Sequence, residues 1–228
     1  MNWGFYYFPF YFYRRKTMNI IINNQNFILH QSGAVFWEEK KILLISDVHL
    51  GKVTHFRKHG IGIPKDAIFE NFNRLKTILE LFDSVTIVFL GDLFHSKINN
   101  EWELFKEWIK EHWQKVILVE GNHDIISKRN YEEVNIEIYN ELIIDDFLLT
   151  HHPTEKEGLL NFCGHIHPAI QLRGLGRQSL NLPCFFLKPN QLIFPAFGEF
   201  TGNSFLIPTE NDKVYAITKE KVIEVALN

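Results

Sequence analysis

Three apolar runs, each followed by a short polar motif, constrain the fold of this chain most strongly. Residues 41–46, 84–90 and 115–120 are rich in Val, Ile and Leu, as strands buried on both faces usually are. Two amphipathic helical patterns separate them, marked by Ile68, Phe72, Leu75, Leu79 and Phe82, and then by Trp102, Phe105, Ile109 and Trp113. This alternation of strands and helices predicts parallel strands joined by right-handed crossovers.

The rest of the chain is predicted to be mostly β. Short strand-like segments precede the first run, within residues 20–37, and helical periodicity fades after about residue 130. The 228 residues show no repeat, low-complexity segment or Pro/Gly/Ser-rich linker, and this length can bury one sizeable core. We therefore expect a single α/β domain in which two sheets pack face to face with helices outside.

A strongly aromatic segment at residues 1–13, followed by three basic residues, does not fit this pattern. It is too short to span a bilayer, and it lacks the charge order and cleavage site of a signal peptide. We expect residues 1–17 to be an extension, not native if translation begins at Met18, and the domain to occupy residues 18–228. A membrane-surface anchor is the alternative. Two cysteines and the lack of any other membrane-like segment predict a cytoplasmic protein without stable membrane insertion.

The charge balance excludes binding to nucleic acid through a generally basic surface. The formal net charge is −3, so any affinity for phosphate must come from a local site. The chain contains 11 histidines, and several of them cluster in polar motifs. Histidine is the commonest metal ligand, so this clustering indicates a metal site better than it indicates chance surface positions.

Five polar motifs follow an apolar run or a tight glycine turn. They are Asp47-Val48-His49, Gly91-Asp92, Gly121-Asn122-His123-Asp124, His151-His152 and Gly164-His165-Ile166-His167. Ligands of open α/β sheets bind at the carboxyl ends of the strands, so we expect these motifs to meet in one crevice. Residues i and i+2 of an extended segment point the same way, which predicts that Asp47 and His49 face one point, as do His165 and His167.

Seven residues of these motifs are candidate metal ligands, namely Asp47, His49, Asp92, Asn122, His151, His165 and His167. Asp, Asn and His without thiolates suit Mn, Fe or Zn and exclude a cysteine-type structural zinc. Seven ligands are too many for one ion but fit two ions that share a carboxylate. Such a pair keeps excess positive charge, which favours a phosphate ester as substrate. We favour His151 over the adjacent His152 because it directly follows a strand, although the pair is ambiguous.

The motifs resemble those of the calcineurin-like metallophosphoesterase superfamily over residues 42–200, and more narrowly those of the bacterial DNA ligase-associated metallophosphoesterases. The narrower resemblance rests on residues 47–52, 56–57, 91–96, 164–168, 182–185 and 195–202. It implies a four-layer α/β/β/α sandwich with a dimetal centre at the strand ends. It also implies two divalent ions, with Mn favoured over Fe or Zn, and a link to DNA repair through neighbouring genes for an ATP-dependent DNA ligase and a helicase.

The same resemblance assigns roles to the motif residues. One ion is assigned to Asp47, His49, Asp92 and His167, and the other to Asp92, Asn122, His151 and His165. In this scheme Asp92 bridges the ions, His123 is the catalytic histidine near the scissile phosphate, and Asp124 orients it. The chain lacks the Gly-Asp-x-x-Asp-Arg-Gly motif of protein Ser/Thr phosphatases, which argues against that activity.

The function predicted from the sequence is hydrolysis of phosphodiester bonds, in nucleic acid, by metal-activated hydroxide attack. A nucleotide phosphomonoesterase or pyrophosphatase is the alternative enzyme, and a non-catalytic scaffold for a DNA ligase or helicase is the alternative outside enzymes. Candidate substrate-binding residues are Lys52, Arg57, His95 and His152, although each also suits an ordinary surface or turn position. Phe197 and Phe200 are candidates for stacking on bases, whereas Cys163 is expected to pack rather than react.

Overall fold

Two sheets dominate the fold of the chain. The computed structural model describes residues 16–58, 60, 62, 66–173, 176, 178–199 and 201–226. The first sheet holds seven strands in sequence order, namely β1 (Thr17–Ile22), β2 (Gln25–His30), β3 (Val35–Trp37), β4 (Ile42–Ile45), β5 (Thr86–Leu90), β6 (Lys115–Val119) and β7 (Ile136–Tyr139). Strands β1 to β4 pair antiparallel, and β4 to β7 pair parallel, as the strand–helix alternation predicts.

The described helices lie along the chain between β4 and β7. They are α1 (Lys52–Lys58), α2 (Ala67–Leu81), α3 (Asn100–Lys110) and α4 (Lys128–Glu132). Helix α3 begins where the side chain of Asn99 accepts a hydrogen bond from the N–H of Glu101, a usual N-cap contact. The predicted start of the α2 helix at Pro64 lies outside the described residues. No described helix is long and apolar enough to cross a membrane.

The second sheet comes from the second half of the chain. Its strands are β8 (Leu142–Ile144), β9 (Phe147–Thr150), β10 (Leu160–Cys163), β11 (Pro168–Arg173), β12 (Ser179–Lys188), β13 (Gln191–Ile193), β14 (Ser204–Phe205), β15 (Lys213–Ile217) and β16 (Val222–Val225). They are ordered β14-β11-β12-β13-β10-β9-β8, with β15 beside β12 and β16 beside β15. The sequence pattern does not predict β10 and β11, because polar residues interrupt their apolar positions.

Alternation along the central strands divides the interior into two main apolar layers. In β4, Leu43 and Ile45 pack in one cluster with residues of α2 and α3, whereas Leu44 packs in another with residues of the second sheet. The predicted α/β sandwich with a single domain is therefore confirmed. The resemblance also implied helices over the second sheet. Among the described residues, no helix follows the first strand of the second sheet, and this sheet carries a smaller apolar cluster of its own. Most neighbouring strands of the second sheet are antiparallel, and antiparallel strands need no crossover helix.

Candidate metal centre

The candidate ligands lie at the carboxyl ends of strands in both sheets, and five of the seven have an unusual backbone conformation. Asp47, His49, Asp92, His165 and His167 all have left-handed φ angles, between 51° and 64°. Left-handed backbone is uncommon outside glycine and persists only where the surrounding structure holds it. The prediction that the two short motifs are extended is therefore wrong. His165 and His167 do not face one point but belong to two different ligand groups.

Hydrogen bonds between the ends of β4 and β5 hold this backbone in place. The N–H of Asp47 donates to the carbonyl of Gly91 at 3.2 Å, and the N–H of His49 donates to the carbonyl of Asp92 at 3.0 Å. Gly91 has φ 80°, and a Cβ there would lie 2.2 Å from Nδ1 of His151. A glycine is thus required where the ring of His151 crosses the end of β5.

The first ligand group consists of Asp47, His49 and His167. Oδ1 of Asp47 lies 3.0 Å from Nε2 of His167 and 3.9 Å from Nε2 of His49. Nε2 of His49 also lies 3.2 Å from Oδ2 of Asp92. Asp47 is fully buried, so its carboxylate has no bulk water to stabilise the negative charge.

The second ligand group surrounds Nε2 of His151, which is 1% exposed. This nitrogen lies 3.0 Å from Oδ1 of Asn122, 3.2 Å from Nδ1 of His165 and 3.4 Å from Oδ1 of Asp92. The two oxygens of Asp92 therefore face the two groups, which is the arrangement that a shared carboxylate requires. The neighbouring His152 is exposed, and its ring centroid lies 4.1 Å from that of His165. Its ring nitrogen also lies within 4.8 Å of those of His151 and His165, so both histidines of the pair stay candidate ligands.

The hydrogen bonds of His151 and His167 test whether cations fit these groups. Nδ1 of His151 lies 3.0 Å from the carbonyl of Leu90, and Nδ1 of His167 lies 3.1 Å from the carbonyl of Gly202. A carbonyl only accepts, so each Nδ1 carries a proton, and Nε2 offers a lone pair whenever the ring is neutral. Nε2 of His167 faces a carboxylate oxygen of Asp47, and Nε2 of His151 faces the side chains of Asn122, Asp92 and His165. A proton or a metal ion stabilises a ring nitrogen that faces carboxylate oxygens, and this set of imidazole and oxygen ligands fits divalent metal ions.

Two buried atoms support this interpretation. Oδ1 of Asp47 and Nε2 of His167 are 3.0 Å apart, yet their geometry is not that of a hydrogen bond and neither has another partner among the described residues. Buried polar atoms normally have a partner, so an unsatisfied pair at this place indicates a group that binds between them. The side chains brought together here therefore fit metal ions.

The carboxylates of the site stay ionised despite their burial. Burial raises the pKa of Asp92, but contact with His49 and the positive charge of His151 outweigh it and lower the pKa to about 2. Burial likewise raises the pKa of Asp47, but the close approach and the charge of His167 outweigh it, so the pKa of Asp47 is lowered. Ionised carboxylates are the form that binds divalent cations.

His123 lies at the rim of the site next to His95. Their ring centroids are 4.3 Å apart, and the ring of His123 is 6.0 Å from that of His49. Its backbone N–H donates to Oδ1 of Asp92 at 2.9 Å. The ring of His123 is exposed, so it can reach a substrate at the rim.

Asp124 does not orient His123 as the resemblance implied. Its carboxylate accepts from the N–H of Phe94 at 3.0 Å and from the N–H of Gly121 at 2.9 Å, and no hydrogen bond joins it to the ring of His123 in the described part of the chain. Burial raises the pKa of Asp124 to about 7, although the two N–H donors oppose this shift. Asp124 thus fixes the turn that carries Asn122.

The structure separates the candidate substrate-binding residues. Lys52 is half-buried near the centre, where burial lowers its pKa although the charges of Asp47 and Asp92 raise it. Arg57 is exposed on α1.

Phe197 is fully buried, so the prediction that it stacks on bases is wrong, and Phe200 lies outside the described residues. Cys163 is also buried, and burial raises the pKa of its thiol, which agrees with a packing role.

Some residues that organise the centre were not predicted from the sequence. The hydroxyl of Ser46 donates to Asp47, and the amide of Asn71 donates to the carbonyl of Val48 at 3.1 Å. The sequence does contain a sign of the role of Asn71. It lies three residues after Ile68 on the apolar face of α2, where a polar side chain is unusual.

Comparison with known proteins gives this site a context. A family model of calcineurin-like phosphoesterases matches residues 40–183. The crystal structure of the nuclease MPE from Pseudomonas putida is similar, with a TM-score of 0.76 and 28% identity, and covers 92% of this chain and 100% of that chain. A protein of unknown function from Aquifex aeolicus has a TM-score of only 0.42 and 21% identity, covering 60% of this chain and 82% of its own. No curated protein sequence matches the chain.

Proposed function

The chain belongs to the calcineurin-like phosphoesterase family, and on that basis we propose that it is a dimetal phosphodiesterase that cleaves nucleic acid. The observation that supports this proposal is the convergence of possible metal ligands around Nε2 of His151 and Nε2 of His167, whose other nitrogens both donate to backbone carbonyls. The similarity to a Pseudomonas nuclease supports nucleic acid as the substrate class.

The two ligand groups would each hold one ion. Asp47, His49 and His167 would hold the first, Asn122, His151 and His165 would hold the second, and Asp92 would be shared by both. When bound, such ions neutralise the charge of a phosphoester and lower the pKa of water. Mn is the proposed metal, with Fe and Zn as alternatives, because the donors are oxygens and imidazoles without a thiolate.

Residues at the rim would bind and protonate the substrate. The charges of Asp47 and Asp92 raise the pKa of Lys52, which supports the proposal that its ammonium group contacts a phosphate oxygen at the centre. His123 is proposed to donate a proton to the leaving oxygen, and the ring of His95, 4.3 Å from that of His123 between centroids, would support it. Arg57 and His152 are proposed as outer contacts to the phosphate backbone.

A substrate panel tests the proposal. Wild-type protein is loaded separately with Mn, Fe, Zn and Mg and given single-stranded DNA, duplex DNA, RNA, a nucleoside monophosphate and a nucleoside triphosphate. We expect cleavage of polynucleotide diesters with Mn, and Asp92→Asn should lose metal and activity together. Faster release of phosphate or pyrophosphate from the nucleotides would favour the phosphomonoesterase or pyrophosphatase. A metal-loaded protein that is inert on every substrate would favour the scaffold.

The cellular setting that we propose is DNA repair in the cytoplasm, in association with an ATP-dependent DNA ligase and a helicase. The resemblance of the sequence motifs supports this setting, and the two buried free cysteines are compatible with a reducing compartment. Loss of the gene should sensitise cells to DNA damage, and the wild-type gene should restore resistance where an Asp92→Asn copy does not. Equal rescue by both copies would contradict a catalytic role in repair.

A further inference from the structure

Residues 195–199 and 201–202, called here the anchoring loop, contact the first ligand group through the backbone. The N–H of Phe197 donates to the carbonyl of Ser46, and the N–H of Gly198 donates to the carbonyl of Asp47, both at 2.9 Å. A Cβ on Gly198 would lie 2.1 Å from the carbonyl oxygen of Val48, so only glycine allows this approach. Further along the loop, the carbonyl of Gly202 accepts from Nδ1 of His167.

Helix α2 fastens the anchoring loop through one buried amide. Asn71 is 5% exposed, and its Nδ2 donates to the carbonyl of Val48 at 3.1 Å. Its Oδ1 accepts from the N–H of Glu199, also at 3.1 Å. The side chain of Asn71 therefore joins the backbone of Val48, next to Asp47, to the backbone of the anchoring loop. The nitrogen and the oxygen of the Asn71 amide thus both serve this connection.

A second contact lies one turn further along α2. The guanidinium of Arg74 pairs with the carboxylate of Glu199 and donates to the carbonyl of Ser32 at 3.0 Å. It also lies over the ring of Phe197, 4.8 Å from the ring centroid. Burial lowers the pKa of Arg74, while Glu199 and Glu70 raise it, so the ion pair is partly shielded from water.

We propose that Asn71 and Arg74 are positioning residues for the metal ion held by Asp47, His49 and His167. They hold the anchoring loop so that the carbonyl of Gly202 fixes the proton of His167 on Nδ1 and leaves Nε2 directed at Asp47. The inference rests on the proposed metal-binding function of this group. It goes beyond that function because neither residue touches a ligand group directly.

Because the anchoring loop contacts the first ligand group, we expect its disruption to weaken the binding of one of the two metal ions more than that of the other. The anchoring loop contacts the backbone of Asp47 and the ring of His167, whereas Nδ1 of His151 donates to the carbonyl of Leu90, which is not part of the loop. Partners of a metal-bound histidine typically change metal affinity about 10–100-fold when they are removed. A residue with a merely structural role would weaken both ions alike or only lower stability.

Manganese titration of metal-depleted protein, by calorimetry and by electron paramagnetic resonance, tests the proposal. In Asn71→Leu and in Arg74→Gln we expect one of two Mn equivalents to bind about 10–100-fold more weakly and the other to bind as in the wild type. Arg74→Lys should restore part of the affinity because it keeps the charge opposite Glu199. Lys76→Gln is the matched control, since Lys76 forms an exposed pair with Glu80 on the same helix.

Three results would overturn the proposal. The first is that both variants bind two Mn equivalents with wild-type affinity. The second is that both equivalents weaken equally, in step with a lower unfolding temperature of the metal-free protein. In either case the proposed function stands if the wild type binds two ions and cleaves its substrate. The third is a wild-type protein that binds no Mn, which would overturn the proposed function as well. Arg74→Gln keeps the test decisive if Asn71→Leu does not fold.

Discussion

At the scale of single residues, the position of one proton on each of two histidines defines the candidate centre. The carbonyls of Leu90 and Gly202 hold the protons of His151 and His167 on Nδ1. Both Nε2 atoms are therefore free to bind metal without any change of tautomer. His123 differs from these two histidines, because its backbone N–H donates to Asp92 while its ring is exposed at the rim of the site.

His123→Ala should separate metal binding from proton transfer. The alanine variant keeps the backbone N–H that donates to Asp92, so we expect both metal ions to remain bound. The loss of a general acid should slow cleavage of a DNA diester by about 10²–10⁴-fold. An activated nitrophenyl diester should slow much less, because its leaving group needs little protonation. Rates on both diesters and metal stoichiometry are measured together. Equal losses on both, with depleted metal, would contradict the general-acid role.

At the scale of secondary structure, helix α1 depends on a carboxylate from another helix. Helix α1 has no acidic residue in its first turn. Glu101, in the first turn of α3 and 2% exposed, accepts from the N–H of Gly51 at 2.6 Å and from the N–H and hydroxyl of Thr54 at 3.2 and 2.7 Å. A carboxylate at a helix N-terminus satisfies donors that the helix itself cannot. Glu101 thereby fixes the helix that carries Lys52.

Glu101→Gln should destabilise the protein although the two side chains have nearly the same shape. The amide brings an NH₂ group toward the donors of Gly51 or Thr54, leaving at least one of them unsatisfied. The free energy of unfolding should fall by about 2 kcal/mol. Urea unfolding measures it, and Glu103→Gln is the matched control, because Glu103 is an exposed residue of the same helical turn. Equal effects of the two substitutions would contradict the capping role.

At the scale of the whole molecule, the first sheet connects the outer strands to the centre. Strand β1 begins at Thr17, which pairs with His30, so the sheet starts one residue before the predicted domain boundary at Met18. His30 is buried beneath this edge, and its Nδ1 accepts from the N–H of Ser32 at 3.1 Å and contacts the Ser32 hydroxyl at 2.9 Å. The edge therefore contains a neutral, buried imidazole.

His30 should make the stability of the domain depend on pH. Burial, with the charges of Lys16 and Arg74, lowers its pKa from 6.5 to about 4. The unfolded chain takes up the proton below its ordinary pKa and the folded protein does not, so stability is full above pH 6.5 and falls progressively toward pH 4. The total effect is at most about 3 kcal/mol. Urea unfolding of metal-free protein should show a flatter pH dependence in His30→Asn, which keeps an acceptor for Ser32. Parallel curves would contradict this.

Residues 1–17 are predicted to be dispensable, and two truncations test this boundary. A chain that begins at Lys16 keeps the complete β1 strand and the hydrogen bond from the N–H of Gln31 to the carbonyl of Lys16. A chain that begins at Met18 loses the pairing of Thr17 with His30 and should be less stable by about 1 kcal/mol. Both should bind metal and cleave substrate. Loss of activity in the Lys16 chain would show that the aromatic segment contributes to the domain.

The sequence by itself determined the residue types of the centre and the order of strands and helices, because apolar periodicity and the motifs after each strand are local properties of the chain. It did not determine the left-handed backbone of Asp47 and His167, the partners of Asp124 or the burial of Phe197. Only the tertiary structure decided these features. Each depends on a contact between distant segments, such as Gly198 with Asp47 or Glu199 with Asn71, and packing across such distances selects the partner of each polar group.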